Sequence, residues 1–253
     1  MRLGVYQCIA AGRNAAERQA CLETRIADQG LDLVLCPELF MGGYNPELDY
    51  NMLAETPDGP FARGIADIAR RHNVAIAYGY PERGEGAVYN AAALIGPDGG
   101  LLANHRKRLP SPGSFEETAF ANGPAVSFAN LNDWRIAIVI CYEVEFPESI
   151  RQAAQGGAQL VLVPTALGAQ WGVVSEKVVP ARAFENGVWM AYADHAGQDG
   201  EIAFHGGSRI VDPMGQDMAV AGQEETLLIA ELSRDRIDFA QSRLPYLRDC
   251  VKL

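Results

Sequence analysis

The run Arg135-Ile136-Ala137-Ile138-Val139-Ile140-Cys141-Tyr142-Glu143-Val144-Glu145-Phe146-Pro147-Glu148 joins two kinds of structure in one short stretch. Arg135–Ile140 is almost wholly apolar and rich in β-branched residues, so it reads as a strand buried on both faces. Pro147 then opens a helix to about Gln155, where a first-turn proline is well placed. A strand feeding a helix is the unit from which parallel sheets are built. Cys141 falls at the turn between them, near free backbone N–H groups and a positive helix end. Both favour a thiolate and can bind an oxyanion. Taken alone, a cysteine ending an apolar strand is more often core than catalyst.

The same alternation extends in both directions. Leu3–Ala10 reads as a strand, Asn14–Gln29 as a helix, Leu33-Val34-Leu35 as a buried strand stopped by Pro37, and Pro60–His72 as a helix with Phe61, Ile65, Ile68 and Ala69 on one face. Val74–Tyr78 is a further strand. Tyr89–Ile95 and Leu101–Asn104 flank the turn chemistry of Gly96-Pro97-Asp98-Gly99-Gly100. Leu160–Val163, a helix near Ser175–Glu185, and Val188–Ala193 follow; a second hairpin turns at Asp212-Pro213-Met214-Gly215 and Thr226–Glu231 is the last strand. Helices interleaved with buried strands and hairpins predict an α/β protein, a mixed sheet covered by helices. Nothing resembling a linker divides the chain, so residues 1–253 read as one domain. Leu33-Val34-Leu35-Cys36-Pro37 echoes Leu160-Val161-Leu162-Val163-Pro164. Either buried strands simply look alike, or the protein has two halves with equivalent strands.

Composition narrows the function classes. A net charge of −11 argues against nucleic acid, which needs a basic surface, and against anionic lipid. No stretch reaches the roughly 18 consecutive apolar residues of a membrane span. Met1–Gln7 reads as a first strand rather than a signal peptide. The five cysteines form no CxxC pair or zinc spacing, and their number is odd. The expectation is a reduced, cytoplasmic protein.

Three further positions carry candidate chemistry. Glu38 follows Cys36-Pro37 at the carboxyl end of a strand, where open α/β sheets place ligands; it reads as a loop cap or as a general base. Lys107 lies in Asn104-His105-Arg106-Lys107-Arg108-Leu109-Pro110, ordinarily a solvated basic loop, which fits Arg106 and Arg108; a lysine flanked by apolar and proline residues can also take an inward role. Glu116 and Glu117 are set between Phe115 and Phe120, and solvent-facing acids are the default there. None of His72, His105, His195 and His205 stands out as the partner of a catalytic cysteine, and a Cys–His dyad or a metal held by a His and an acid stays open at this level.

Together these segments resemble the nitrilase, or carbon–nitrogen hydrolase, superfamily over essentially the whole chain. The blocks are Cys36-Pro37-Glu38-Leu39, Arg106-Lys107-Arg108-Leu109-Pro110 and Ile140-Cys141-Tyr142-Glu143, with Glu38, Lys107 and Cys141 separated by 69 and then 34 positions, supported by Phe115-Glu116 and Ala181-Arg182-Ala183-Phe184-Glu185-Asn186-Gly187. The resemblance implies a four-layer αββα sandwich that pairs into a homodimer or higher homo-oligomer. It implies Cys141 as nucleophile, Glu38 as general base, Lys107 and the Tyr142 backbone N–H as oxyanion donors, and Glu116 beside the lysine orienting substrate. No cofactor or metal is implied. The expected activity is cleavage of a small amide with release of ammonia. The alternatives are an N-carbamoyl (ureido) hydrolase, a nitrilase, disfavoured by Tyr142 where true nitrilases tend to have Trp, and, from other classes, a non-catalytic binding module or a thiol redox sensor. Glu145 stands where relatives acting on carboxylate-bearing substrates often place Arg, so it is either a pocket residue that disfavours anionic substrates or a residue facing solvent or a partner.

Overall fold

A computed structural model describes residues 1–252. The first half of the chain lays down β1 (Arg2–Gln7), α1 (Ala15–Ile26), β2 (Leu33–Leu35), the one-turn α2 (Tyr50–Leu53), α3 (Pro60–His72), β3 (Ala75–Arg83), β4 (Val88–Ile95), β5 (Leu101–Arg106) and the one-turn α4 (Glu116–Ala119). The second half adds β6 (Ser127–Leu131), β7 (Trp134–Ile138), α5 (Pro147–Gln155), β8 (Leu160–Pro164), α6 (Val179–Asn186), β9 (Trp189–Ala193), the small ribbon β10 (Gln198–Asp199) and β11 (Ile202–Ala203), β12 (Arg209–Val211) and β13 (Asp217–Val220). β14 (Thr226–Glu231) then returns to pair antiparallel with β1, before α7 (Arg234–Arg243) and α8 (Tyr246–Asp249).

These strands form two six-stranded sheets, ordered β14-β1-β2-β3-β4-β5 and β6-β7-β8-β9-β12-β13. In each, a parallel trio (β1-β2-β3 and β7-β8-β9) is extended by one antiparallel strand on one side and two on the other. β2 and β8, the strands that echo each other in sequence, are the middle members of the two trios. The two-halved reading of that echo is the one the fold bears out.

Strand alternation explains the layering. Leu3, Val5, Leu33, Leu35, Ile136, Ile138, Leu160 and Leu162 point into the space between the sheets, each fully buried. Their neighbours point outward: Tyr6, Val34 and Ile76 pack against Leu22 of α1 and Ile65 and Ala69 of α3. On the other sheet Ala137, Val139, Val161 and Val163 pack against Ile150 of α5 and Ala183 of α6. Burial on both faces is why these strands are continuous apolar runs, and each buried aliphatic side chain contributes roughly 1.5–3 kcal/mol. Helix, sheet, sheet and helix make the four-layer αββα sandwich expected.

Several boundaries differ from the expectation. α1 starts after Asn14, whose side chain caps it in a box with Glu17, and ends at Ile26 rather than Gln29. β1 ends at Gln7 rather than Ala10, and β7 ends at Ile138 rather than Ile140, because the Ile140 N–H turns to the Glu143 carboxylate at 2.7 Å. β3 continues through Pro81, which is tolerated because its carbonyl faces away from β4 to accept the Glu55 N–H. The helix expected near Ser175–Glu185 is a π-turn, Val174–Val178, followed by α6; the ring of Pro180 supplies no N–H to a regular ladder. β6 and α7 had not been anticipated.

Candidate active site

Both parallel trios end at one place. The Pro37-Glu38-Leu39 turn leaves β2, and its counterpart Pro164-Thr165 leaves β8; the Glu38 N–H donates to the Thr165 carbonyl across the interface at 3.3 Å. Leu39 lies in the left-handed region at φ 48°. β3 accommodates the turn at Gly79, where an added Cβ would come within 2.3 Å of the Leu39 nitrogen. Cys141 also lies in the left-handed region, at φ 47°, as the first residue of a 3-10 turn to Glu145. A non-glycine residue held there stores strain on the order of 1–3 kcal/mol and is held by its surroundings.

Lys107 follows β5, its main chain gripped on both sides by the Asn90 carbonyl (2.8 Å) and the Gly123 N–H (2.7 Å). It is not a solvated loop residue: it is 3 % exposed, and its ammonium reaches Glu38 Oε1 at 2.8 Å and both Glu116 oxygens at 2.8 and 2.7 Å. Glu38 and Glu116 are fully buried. Asn90 Nδ2 donates to Glu38 Oε1 at 2.7 Å, and the Tyr44 hydroxyl donates to Glu116 Oε1 at 2.7 Å. Glu38 Oε2 has no partner among the described residues.

One cation between two buried carboxylates divides their proton affinities. Burial raises the Glu38 carboxyl above the ordinary carboxylate range; Lys107 opposes this and the Glu116 charge reinforces it. At Glu116 burial is outweighed by the Lys107 charge and by hydrogen bonds from Lys107, Tyr44 and Ser111, so its carboxyl is lowered. Lys107 itself is desolvated, but its two anions hold it well above the ordinary lysine value. Burial, with the Glu38 charge, pushes the Cys141 thiol up, while Lys107 and a backbone hydrogen bond from Ala166 favour the thiolate. The arrangement suits a neutral thiol beside a carboxylate with raised proton affinity and an oxygen free to take a proton.

The other candidates lie around this centre. Tyr142 packs edge-on against Phe146, with ring centroids 5.0 Å apart. Glu145 is exposed; loss of hydration nevertheless raises its carboxyl, and the Lys107 and Arg182 charges act in the opposite direction. Glu117 is exposed, and Glu116 takes the position beside the lysine. The histidines form no dyad with Cys141: His195 bonds the Glu38 carbonyl at 2.8 Å and contacts Cys8 Sγ at 3.5 Å, and burial lowers its pKa to about 3, so it is a neutral strut. Asn90, Tyr44 and the partners of Glu143 had not been anticipated. Asn90 alone left a signal, as a polar residue in an otherwise apolar strand.

Known proteins resemble the chain over most of its length. A family model described as carbon-nitrogen hydrolase matches residues 9–241. A hydrolase of Pseudomonas protegens is 38% identical, the match covering 98% of this chain and 88% of the relative. The omega-amidase of Mus musculus is 31% identical over 91% of this chain and 87% of its own length. Among solved structures, a mutant amidase from Nesterenkonia sp. AN1, carrying acrylamide by Michael addition at its active-site cysteine, superposes with a TM-score of 0.84 at 32% identity, covering 97% of this chain and 98% of that one.

The shared lysine makes one pH effect specific. Because the Glu116 charge helps to hold the Glu38 carboxyl up, Glu116→Gln should move the acidic limb of the kcat/KM–pH profile to lower pH and lower the plateau. A limb that stays in place, or moves up, would show that the two carboxylates do not share Lys107 in the working enzyme.

Proposed function

The chain belongs to the carbon–nitrogen hydrolase family and performs amidase-type chemistry, and from that premise we propose that it hydrolyses a small carboxamide through a Cys141 thioester. Glu38 takes the Cys141 proton as sulfur attacks the amide carbon. The oxygen that becomes negative is met by the Lys107 ammonium and the Tyr142 N–H. Glu38 returns its proton to the departing nitrogen, so a primary amide loses ammonia and leaves its acyl group on sulfur. Glu38 then deprotonates a water that attacks the thioester, and the carboxylic acid leaves as the Cys141 thiol is restored. The observation that carries this reading is Glu38 itself: raised in proton affinity, tied to Lys107 through one oxygen and free at the other.

Charge supports a neutral or amino-bearing acyl group rather than a carboxylate. Glu145 adds a negative charge that the Lys107 charge acts on. Two arginines that could anchor a carboxylate have partners of their own: Arg182 donates to the Val144 and Glu145 carbonyls and pairs with Glu185, and buried Arg209 holds Ser175 and Asp217. This disfavours an N-carbamoyl amino acid as substrate. A binding module without catalysis would have no use for a buried lysine and two carboxylates, whose desolvation is costly.

We further read residues 1–253 as one catalytic domain working in the cytoplasm as a homodimer or larger homo-oligomer. Phe239, Tyr246 and Val251 are exposed near the C-terminus, and on α5 one guanidinium nitrogen of Arg151 is buried without a partner among the described residues. Leu253, the end of the apolar C-terminal stretch, lies outside the described residues. Sedimentation velocity at micromolar concentration should show a dimer or larger species, and a monomer alone would contradict this.

Ammonia release across small amides, ureido acids and nitriles tests the activity. Neutral and amino-bearing carboxamides should exceed carboxylate-bearing analogues in kcat/KM, and Glu145→Arg should narrow the difference. A wild-type preference for N-carbamoyl amino acids would overturn the assignment.

A further inference from the structure

Glu143 is a fully buried carboxylate that the chemistry above does not use. Its two oxygens hold different parts of the site. Oε2 accepts from the Ile140 N–H at 2.7 Å and bonds His105 Nε2 at 2.8 Å. Oε1 accepts from the Arg108 Nε at 2.7 Å and from the Arg108 backbone N–H at 3.2 Å. Ile140 directly precedes Cys141, and His105 and Arg108 flank Lys107 along the chain. One side chain therefore ties the turn that bears the thiol to the segment that bears the ammonium.

Other contacts hold Lys107 to the first half and Glu38 to the second, but among the described residues the Glu143 carboxylate is the one that bonds both the thiol-bearing turn and the residues flanking Lys107. β7 and β5 belong to different sheets, so no strand ladder joins Cys141 to Lys107. The strained backbone at Cys141, φ 47°, begins where the Ile140 N–H leaves the ladder for the carboxylate. The guanidinium of Arg108 continues outward to Ser149 Oγ at 2.9 Å and Gln152 Oε1 at 3.1 Å, which fixes the whole bracket to α5.

We propose that Glu143 is a positioning residue that sets Lys107 at the height of the oxyanion formed on Cys141, through His105 and Arg108 on one side and Ile140 on the other. This rests on the proposed roles of Cys141 and Lys107. Only the carboxylate satisfies all four donors. Glutamine turns one acceptor oxygen into a donor, so either the Ile140 N–H or both Arg108 donors lose their acceptor, depending on which way the amide sits.

The test uses the full chain with a primary carboxamide substrate. Glu143→Gln should lower kcat by roughly 100-fold with KM within about twofold, as expected when an ångström-scale displacement removes alignment. Added to Lys107→Ala, it should cost less than about threefold more, because the contact it serves is already gone. Alkylation of Cys141 by iodoacetamide, a displacement that forms no oxyanion, should stay within about threefold of wild type. A general collapse of the site would slow alkylation and turnover together. Should Glu143→Gln fail to fold, Arg108→Ala carries the test: it leaves the Ile140 contact intact and should lower kcat about tenfold with KM unchanged. Near-normal kcat in the folded variants, a fully additive loss on Lys107→Ala, or a parallel loss of alkylation would overturn the proposal. If Lys107→Ala itself kept normal kcat, the reading of the active site would fail instead.

Discussion

The site depends on one buried ammonium shared by two carboxylates. Water would solvate all three groups separately; in the interior the carboxylates depend on the ammonium, and removing Lys107 would leave two buried negative charges without compensation. The lysine cannot serve both anions equally. It meets Glu116 through both oxygens and Glu38 through one, and Tyr44 adds its hydroxyl to Glu116. Glu116 is thereby the settled counter-ion, and Glu38 is left with the higher proton affinity of the two, which suits the general-base role proposed for it.

The fold delivers these groups from separate halves. Each half is a parallel trio with antiparallel flanks, and the sheets meet face to face with the carboxyl ends of their trios at one place. Glu38 comes from the middle strand of the first sheet, Cys141 from the second, and Lys107 from the last strand of the first. Contacts across the interface keep them together: Glu38 to the Thr165 carbonyl, His195 to the Glu38 carbonyl, and Glu143 between the cysteine turn and the lysine segment. Two non-glycine residues in left-handed conformations, Leu39 and Cys141, stand just beyond the two strands that present Glu38 and the thiol.

Much of the scaffold was legible because its signals are local. Pro60–His72 and Pro147–Gln155 emerge with the expected bounds, since each has a proline in the first turn and a clear apolar face. β6 was not legible: Ser127-Phe128-Ala129-Asn130-Leu131 is short and mixed, and its pairing with β7 decides its state. α7 is dominated by charge and buries only Ile237 and Ala240, so its helical period is faint. In the site, Glu38, Lys107, Cys141 and Glu116 could be picked out through the family resemblance, whereas Asn90, Tyr44 and the partners of Glu143 could not. Asn90, Tyr44 and His105 act through contacts with residues 26 to 72 positions away, and no spacing announces such contacts. For Lys107 the sequence leaves a solvated loop and an inward role both open, and the fold turns it inward.

The central claim is that Cys141 carries the acyl group. Intact-protein mass spectrometry during turnover of a slowly hydrolysed amide should show a mass increase equal to the acyl group, located by peptide mapping on Cys141. The adduct should be absent from Cys141→Ala, together with ammonia release. Continued turnover by Cys141→Ala, or an adduct on Cys8, Cys21, Cys36 or Cys250 instead, would contradict the account.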